Sequence, residues 1–140
     1  MNDNAGRIRL TWAAASGDAT RLASLFYANL FRIDETTRPL FVGDLALQGR
    51  KLADTLNFIV DHLEEEHILL PAARDLAIRH LNYGVTADQY QAVGQALLET
   101  LRQILGPTFS SDDARAWLET YAGLSKAMIA AAYPSSARPE

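Results

Sequence analysis

Apolar residues recur along most of this chain at spacings of three and four, and this periodicity is the strongest constraint on its fold. Residues 19–33, for example, place Leu22, Phe26 and Leu30 on one stripe, with Leu25 and Phe31 beside them. The alternating β-branched runs that are typical of strands are missing. We therefore predict an all-α protein whose helices pack on one another around one core.

Capping and breaking residues set the expected ends of the helices. Gly17, Gly43 and Gly84 punctuate the pattern, Thr86 and Gln89 have the spacing of a capping box, and Ser110 or Ser111 caps the last helix. The predicted helices are residues 5–15, 19–33, 45–63, 69–82, 87–105 and 112–132, with a short turn-like helix in 34–41. Residues 1–133 are predicted to form a single domain, and residues 134–140 a loosely ordered tail.

The composition excludes several classes of function. The chain has 140 residues, a formal charge of −4 and no cysteine. The charge argues against a general nucleic-acid binder, and the missing cysteines exclude disulfides and thiolate metal sites. No signal peptide and no run long enough to span a membrane is found, so we expect a cytoplasmic protein.

One histidine continues an apolar face. Leu69, Ala73, Leu76, Ala77 and His80 share one side of the predicted helix 69–82. His80 can be a core residue that a neighbour satisfies, or a ligand that points at a guest in the space left by the small alanines.

Two further polar residues lie beside apolar surface on other helices, Tyr27 in "LFYANLF" and Gln48 ahead of Leu52. Buried polar groups need partners. A flat apolar cofactor with a metal at its centre would supply them, because imidazole is a good iron ligand and a phenol and an amide can donate hydrogen bonds to a bound diatomic molecule. The pattern alone does not show that the three side chains converge.

Four stretches together carry a resemblance to a known family. They are "LFYANLFRIDETTRPLF" (25–41), "QGRKL" (48–52), "RHLNYGVTADQYQAVGQALL" (79–98) and "AWLETYAGL" (116–124). Over residues 8–132 the chain resembles the globins, and more closely the bacterial single-domain haemoglobins of the Vitreoscilla type and the haem domain of flavohaemoglobins. The resemblance implies the globin fold, a three-over-three helical sandwich around a haem pocket.

The resemblance also assigns roles to residues. His80 matches the proximal ligand of the haem iron, and Tyr27 and Gln48 match the distal pair that hydrogen-bonds a bound ligand. Phe41 matches the phenylalanine that wedges against the haem, Leu52 the apolar residue over the iron, and Tyr90 the tyrosine that bonds the proximal histidine from behind. Lys51 and Arg79 are expected near the haem propionates, and Val85 and Val93 in contact with the haem; a solvated role for the two basic residues stays open.

The implied function is reversible binding of oxygen, CO and NO at haem b (iron protoporphyrin IX), with high oxygen affinity through Tyr27 and Gln48. The alternative is a nitric oxide dioxygenase or peroxidase-like enzyme that uses an external reductase. A third interpretation is a globin-fold module without haem. A monomer or a homodimer is expected. The alternative for Tyr27 is that its hydroxyl donates to a backbone carbonyl and not to a bound ligand.

The sequence departs from the family at one position. In the related proteins a glutamate on the last helix joins the tyrosine and the proximal histidine in a hydrogen-bonded triad, and that position falls on Ala132. The departure implies a weaker push toward peroxidase-like chemistry.

The remaining histidines and the tryptophans have simpler interpretations. His62 and His67 flank "LEEE" with a spacing that fits no zincin helix, and we expect a solvated connection between helices. Trp12 and Trp117 are predicted to be core anchors.

Overall fold

A computed structural model describes residues 4–41, 43–82 and 85–132 of the chain. Six α-helices occupy these ranges: α1 (Asn4–Ala15), α2 (Ala19–Ile33), α3 (Leu45–Asp61), α4 (Glu66–Asn82), α5 (Ala87–Leu105) and α6 (Ser111–Ala132). Two 3₁₀ segments, Glu35–Leu40 and Gly106–Thr108, lie between them. The described part of the chain contains no strand, and the all-α prediction is confirmed. None of its helices combines the length and the apolar character that crossing a membrane requires.

The connection between α3 and α4 differs from the predicted one. Helix α3 ends at Asp61 instead of 63, and α4 begins at Glu66 instead of 69. The His62 amide donates to the Ile59 carbonyl, and its Nδ1 lies 2.9 Å from Glu65 Oε1. The Ile68 and Leu69 amides in turn donate to the Glu65 carbonyl and start α4. The acidic run thus closes one helix and opens the next, because its polar groups satisfy free helix ends.

The predicted caps of two other helices are present. At the start of α5, the Thr86 amide donates to Gln89 Oε1 over 2.9 Å. Ahead of α6, the Asp113 amide donates to Ser110 Oγ over 3.1 Å, and the Ser110 amide to Asp113 Oδ2 over 3.0 Å. The predicted helix end at Gly84 lies outside the described residues.

The two tryptophans anchor the core, as predicted. Trp12 and Trp117 are buried, and their ring centroids are 6.2 Å apart between α1 and α6. Trp12 Nε1 donates to Asn57 Oδ1 on α3 over 2.7 Å, and Trp117 Nε1 to Thr11 Oγ1 over 2.8 Å. Each indole therefore joins two helices while its polar atom is satisfied.

The packing of the helices leaves α3 and α4 apart. Helix α3 lies against α2 and α1, whereas α4 lies against α6, and α3 and α4 make few direct contacts. The buried apolar residues accordingly form two clusters. The larger one is centred on α1, α2, α5 and the start of α6, and the smaller one comprises Ala73, Ala77, Tyr90 and Met128 with their neighbours. The candidate site residues are divided between these two clusters.

Candidate functional site

His80 lies in the last turn of α4 and is half-buried. Its Nδ1 is 2.8 Å from the carbonyl oxygen of Leu76, one helical turn earlier. A carbonyl only accepts, so Nδ1 carries the proton and the lone pair of Nε2 is left for another partner. Burial lowers the pKa of His80, the bond to Leu76 partly opposes this effect, and the positive charge of Arg79 lowers the pKa further. His80 is therefore neutral near pH 7, the state that a metal ligand requires.

The surroundings of His80 are apolar and partly aromatic. The ring of Tyr90 on α5 lies 6.0 Å from the His80 ring, centroid to centroid, at an interplanar angle of 50°. Val85 belongs to the same small cluster, and its amide donates to the His80 carbonyl over 3.0 Å. The Nδ1 partner of His80 is thus Leu76, and bonding of the histidine by Tyr90 from behind stays a prediction.

Tyr27 lies in an aromatic group that belongs to the larger cluster. Its ring stacks on Phe31 at 6.0 Å and meets Phe41 edge-on at 5.1 Å, and Phe26 is 5.5 Å away. Burial raises the pKa of Tyr27 to about 12, so its hydroxyl keeps its proton at neutral pH and can donate.

No hydrogen bond joins the Tyr27 hydroxyl to any residue in the described ranges, whereas every fully buried polar side-chain atom there has a partner. The phenol oxygen therefore faces accessible space rather than a backbone carbonyl.

Gln48 and Leu52 lie about one turn apart on α3, and both are half-buried. Leu52 packs against the larger core cluster, as do Phe41 and Val93. Between Gln48 and Leu52, Gly49 lets α3 approach α2 very closely. A Cβ at Gly49 would lie 2.6 Å from the Cβ of Ala23 and 4.0 Å from Tyr27 Cε2.

A cavity of about 300 Å³ opens between α3 and α4, with α6 as its floor. It is lined mainly by apolar side chains, among them Phe58, Ile59, Leu69, Ala72, Leu76 and Met128. Arg79 and Asp54 are the charged residues of the lining. Lys51 is exposed one turn earlier on α3, so the two basic residues predicted near propionates lie on the two helices that flank the gap.

Most of the predicted residues fall into the two apolar clusters, which are called the two walls below, and of the predicted site residues Arg79 is the one in the lining of the cavity. Tyr27, Phe41, Leu52 and Val93 belong to the larger cluster, and Tyr90 and Val85 belong to the cluster around His80. Ala132 is the last residue of α6. His62 is paired with Glu65, and no group of three potential metal-binding side chains occurs in the ranges described.

Sequence reasoning missed two features of these walls. Gly49 was not singled out, although a glycine inside a helix costs stability and often marks a close contact. The stacking of Phe31 on Tyr27 was also missed; Phe31 had been placed only on the apolar stripe of α2.

The residues present fit a haem group. An apolar gap between two helices, a neutral histidine whose Nδ1 is bonded to the Leu76 carbonyl, and a tyrosine hydroxyl in an aromatic group are features that such a cofactor uses.

Taken together, the fold and the two walls define an all-α protein of the globin type with a candidate haem pocket. The family model for "Globin" matches residues 24–128, and the chain belongs to this family. Membership implies binding of haem and of diatomic gases.

Individual relatives agree with this assignment. The flavohemoprotein of Bordetella parapertussis is 28% identical over 107 residues, which are 74% of this chain and 27% of the relative. The chain therefore spans about a quarter of the length of such flavohemoproteins. The Globin-2 A chain of Anadara inaequivalvis is 28% identical over 121 residues, which are 79% of this chain and 81% of the relative.

Solved structures support the fold. An engineered carbene transferase derived from a putative nitric oxide dioxygenase of Rhodothermus marinus superposes with a TM-score of 0.83 at 23% identity, over 98% of this chain and 96% of the other. A bacterial globin from Campylobacter jejuni gives 0.81 at 20% identity, over 99% and 100%. At these identities the likeness concerns the fold, and it confirms the predicted globin fold.

Proposed function

We propose that this chain binds haem b through His80 and reversibly binds oxygen and other diatomic ligands, with Tyr27 and Gln48 as distal hydrogen-bond donors. The observation that carries the proposal is the hydrogen bond from His80 Nδ1 to the Leu76 carbonyl at 2.8 Å. It gives the half-buried imidazole one tautomer and leaves Nε2 as its only free ligating atom.

When bound, haem would supply an iron centre that can take a diatomic ligand. The chain then has three tasks. His80 holds the cofactor, and the Leu76 carbonyl fixes the orientation of the imidazole ring. Phe41 and Leu52 exclude water from the distal side, and Tyr27 and Gln48 offer protons to the oxygen atoms of the ligand.

The distal donors set the expected affinity. The raised pKa of Tyr27 keeps its hydroxyl protonated, and the aromatic wall around it lowers the local dielectric. A hydrogen bond in such surroundings stabilises the ligand by about 1–2 kcal/mol. We infer tight binding with slow release, which suits oxygen scavenging better than bulk carriage.

A haem titration tests the role of His80. The purified chain is expected to give a Soret band on addition of haemin. His80→Gly should weaken haem binding and recover it with added imidazole. His62→Ala is the matched control, because the His62 imidazole is already paired with Glu65, and it should bind haem like the wild type. Absence of a Soret band in the wild type would refute the haem proposal.

Oxygen dissociation tests the distal side. Tyr27→Phe removes the donor and keeps the ring, so loss of about 1–2 kcal/mol should speed oxygen release by about five- to thirtyfold. Stopped-flow displacement of oxygen measures this rate. An unchanged rate would contradict the role of Tyr27 but not the binding of haem.

A nitric oxide dioxygenase that depends on an external reductase is the second candidate. Its support is the likeness to flavohemoproteins, of which this chain covers about a quarter. Ala132 counts against strong peroxidase-like chemistry, because it stands at the position of the glutamate in the related proteins. The His80 Nδ1–H group instead donates its hydrogen bond to the neutral carbonyl of Leu76. Consumption of NO by the oxygenated protein, first in a single turnover and then with a flavin reductase, separates the two functions.

A further inference from the structure

Gln89, in the first turn of α5, uses both ends of its side-chain amide. Its Oε1 accepts from the Thr86 amide over 2.9 Å, which is the usual capping interaction. Its Nε2 donates to Thr36 Oγ1 over 3.0 Å and to the Thr36 carbonyl over 3.3 Å, in a segment 53 positions away in sequence. Gln89 is only 7% exposed, whereas a glutamine that merely caps a helix can leave its NH₂ group in water.

On one side, Gln89 reaches the segment that leads to Phe41. Thr36 is held in the 3₁₀ segment Glu35–Leu40 by Asp34, whose Oδ1 accepts from the Thr36 amide over 3.0 Å and from its hydroxyl. The segment ends directly before Phe41, whose ring lies 5.1 Å from that of Tyr27. A chain of hydrogen bonds thus connects Asp34, Thr36 and Gln89, and the bonds in such a chain strengthen one another.

On the other side, Gln89 reaches the corner that follows His80. Thr86, which donates to Gln89, is the neighbour of Val85, and the Val85 amide donates to the His80 carbonyl over 3.0 Å. Gln89 itself precedes Tyr90, whose ring lies 6.0 Å from that of His80. One side chain therefore joins the wall that carries His80 to the wall that carries Phe41 and Tyr27.

We propose that Gln89 is a positioning residue that fixes the corner after His80 relative to the segment before Phe41, and thereby sets the separation of the two walls that hold the cofactor. This inference rests on the proposed haem binding. Gln89 touches neither ligand nor iron in this role and acts through the backbone of the two segments.

Gln89→Glu separates this role from capping. Glutamate at the same position keeps the Oε1 acceptor for Thr86 and is a normal capping-box residue. It loses both Nε2 donors, and its charge faces the acceptor oxygens of Thr36. Thr36→Val weakens the same contact from the other side by removing Oγ1 and keeping the carbonyl.

Asn29→Asp is the matched control. Asn29 is buried between α2 and α5, and its Nδ2 donates to Thr100 Oγ1 and to Gln103 Oε1, each over 3.0 Å. Its Oδ1 accepts from Arg32, as Gln89 Oε1 accepts from Thr86. Asn29→Asp removes the same kind of buried amide donors, but from a link between α2 and α5 that involves neither the 3₁₀ segment nor the corner after His80.

Three measurements test the proposal on the full chain. In the protein without haem, hydrogen exchange of residues 35–41 should rise in Gln89→Glu and Thr36→Val and stay unchanged in Asn29→Asp. In the haem-loaded protein, both variants should lose haem to apomyoglobin about three- to tenfold faster than the wild type, the range that a net hydrogen bond supplies. The iron–histidine stretching band in resonance Raman spectra should shift in both variants and stay unchanged in Asn29→Asp, because both weaken the contact that fixes the corner next to His80 relative to the segment before Phe41.

The outcomes are distinguishable. If the wild type gives no Soret band, the haem proposal fails and the positioning role fails with it, while hydrogen exchange still reports whether Gln89 braces the segment. If haem binds and Gln89→Glu leaves exchange, haem loss and the stretching band at their wild-type values, only the role of Gln89 is refuted. Equal changes in Asn29→Asp would also refute it, since they would indicate general destabilisation.

Discussion

Replacing Gly49 by alanine tests whether the close crossing of α2 and α3 sets the distal wall. The added Cβ would lie 2.6 Å from the Cβ of Ala23, whereas ordinary contacts of this kind begin at 3.4 Å. The helices must therefore separate by nearly 1 Å at this point. Both clashing atoms are Cβ atoms fixed to helix backbone, so neither can rotate away. Helix α3 therefore has to move, and Gln48 and Leu52 move with it.

Two effects of opposite sign determine the magnitude. Crowding a packed interface costs about 1–3 kcal/mol. Alanine gains about 0.5–1 kcal/mol over glycine inside a helix. The net loss of unfolding free energy should be about 0–2.5 kcal/mol for Gly49→Ala.

A second glycine isolates the crowding effect. Gly123 lies inside α6, is exposed, and a Cβ there would meet nothing within 4 Å. Gly123→Ala therefore carries the helix gain without the clash. The difference between the two variants in urea denaturation should equal the crowding cost, about 1–3 kcal/mol. Ala23→Gly in the Gly49→Ala background should recover the crowding cost, less the about 0.5–1 kcal/mol that glycine costs inside α2.

A difference below about 0.5 kcal/mol between the two alanine variants would refute the reasoning, because the propensity terms cancel between them. The haem-loaded form adds a second readout: Gly49→Ala should change the rate of oxygen release, since it displaces Gln48 relative to Tyr27, and Gly123→Ala should not.

Three further predictions follow from single contacts. Gly94→Ala would place a Cβ 2.7 Å from the Tyr121 ring, so a crowding cost of about 1–3 kcal/mol, less the about 0.5–1 kcal/mol that alanine gains inside a helix, should lower the unfolding free energy by about 0–2.5 kcal/mol in urea titrations. Burial tends to raise the pKa of Asp113, but hydrogen bonds from Ser110 and Arg7 hold it below its usual value of 3.8. Its stabilising effect is present above pH 3.8 and is lost as the pH falls through the lowered pKa, so Asp113→Asn should flatten the acid limb of the stability profile. The pKa of Tyr27, raised by burial to about 12, makes stability fall as the pH rises from 10 toward 12, and Tyr27→Phe should flatten this alkaline limb.

Local information in the sequence was enough for the helices, whereas the assignment of His80 as a ligand came from the family resemblance and stays a prediction. Helical periodicity depends on residues three and four apart, and it placed α2, α5 and α6 to within one residue at each end. The bond from His80 to the Leu76 carbonyl is also local, because position i−4 lies directly below a histidine in a helix.

The contacts that hold the two walls together could not be read in this way. The approach of Gly49 to Ala23 and the bond from Gln89 to Thr36 join residues that are 26 and 53 positions apart. Nothing in the local pattern distinguishes Gln89 as a cap from Gln89 as a link, since both use the same Oε1 atom. The predicted end of α3 and the predicted start of α4 were wrong for a related reason. The side chains of His62 and Glu65 pair with each other, and the run of glutamates in the sequence does not indicate this pairing.

Because α4 packs mainly against α6, the direction of synthesis determines when α4 acquires its packing partner. Helix α4 carries His80 and has α6 as its main packing partner, yet residues 83–110 separate the two in sequence. The ribosome adds residues from the N-terminus, so α1, α2 and α3 have partners while α4 still lacks its own. His80 can therefore be positioned only after residues 111–132 have emerged, and cofactor capture is expected to follow synthesis. A chain released after residue 110 should bind haemin no better than the full chain with His80→Ala, and tighter binding by the released fragment would contradict this order.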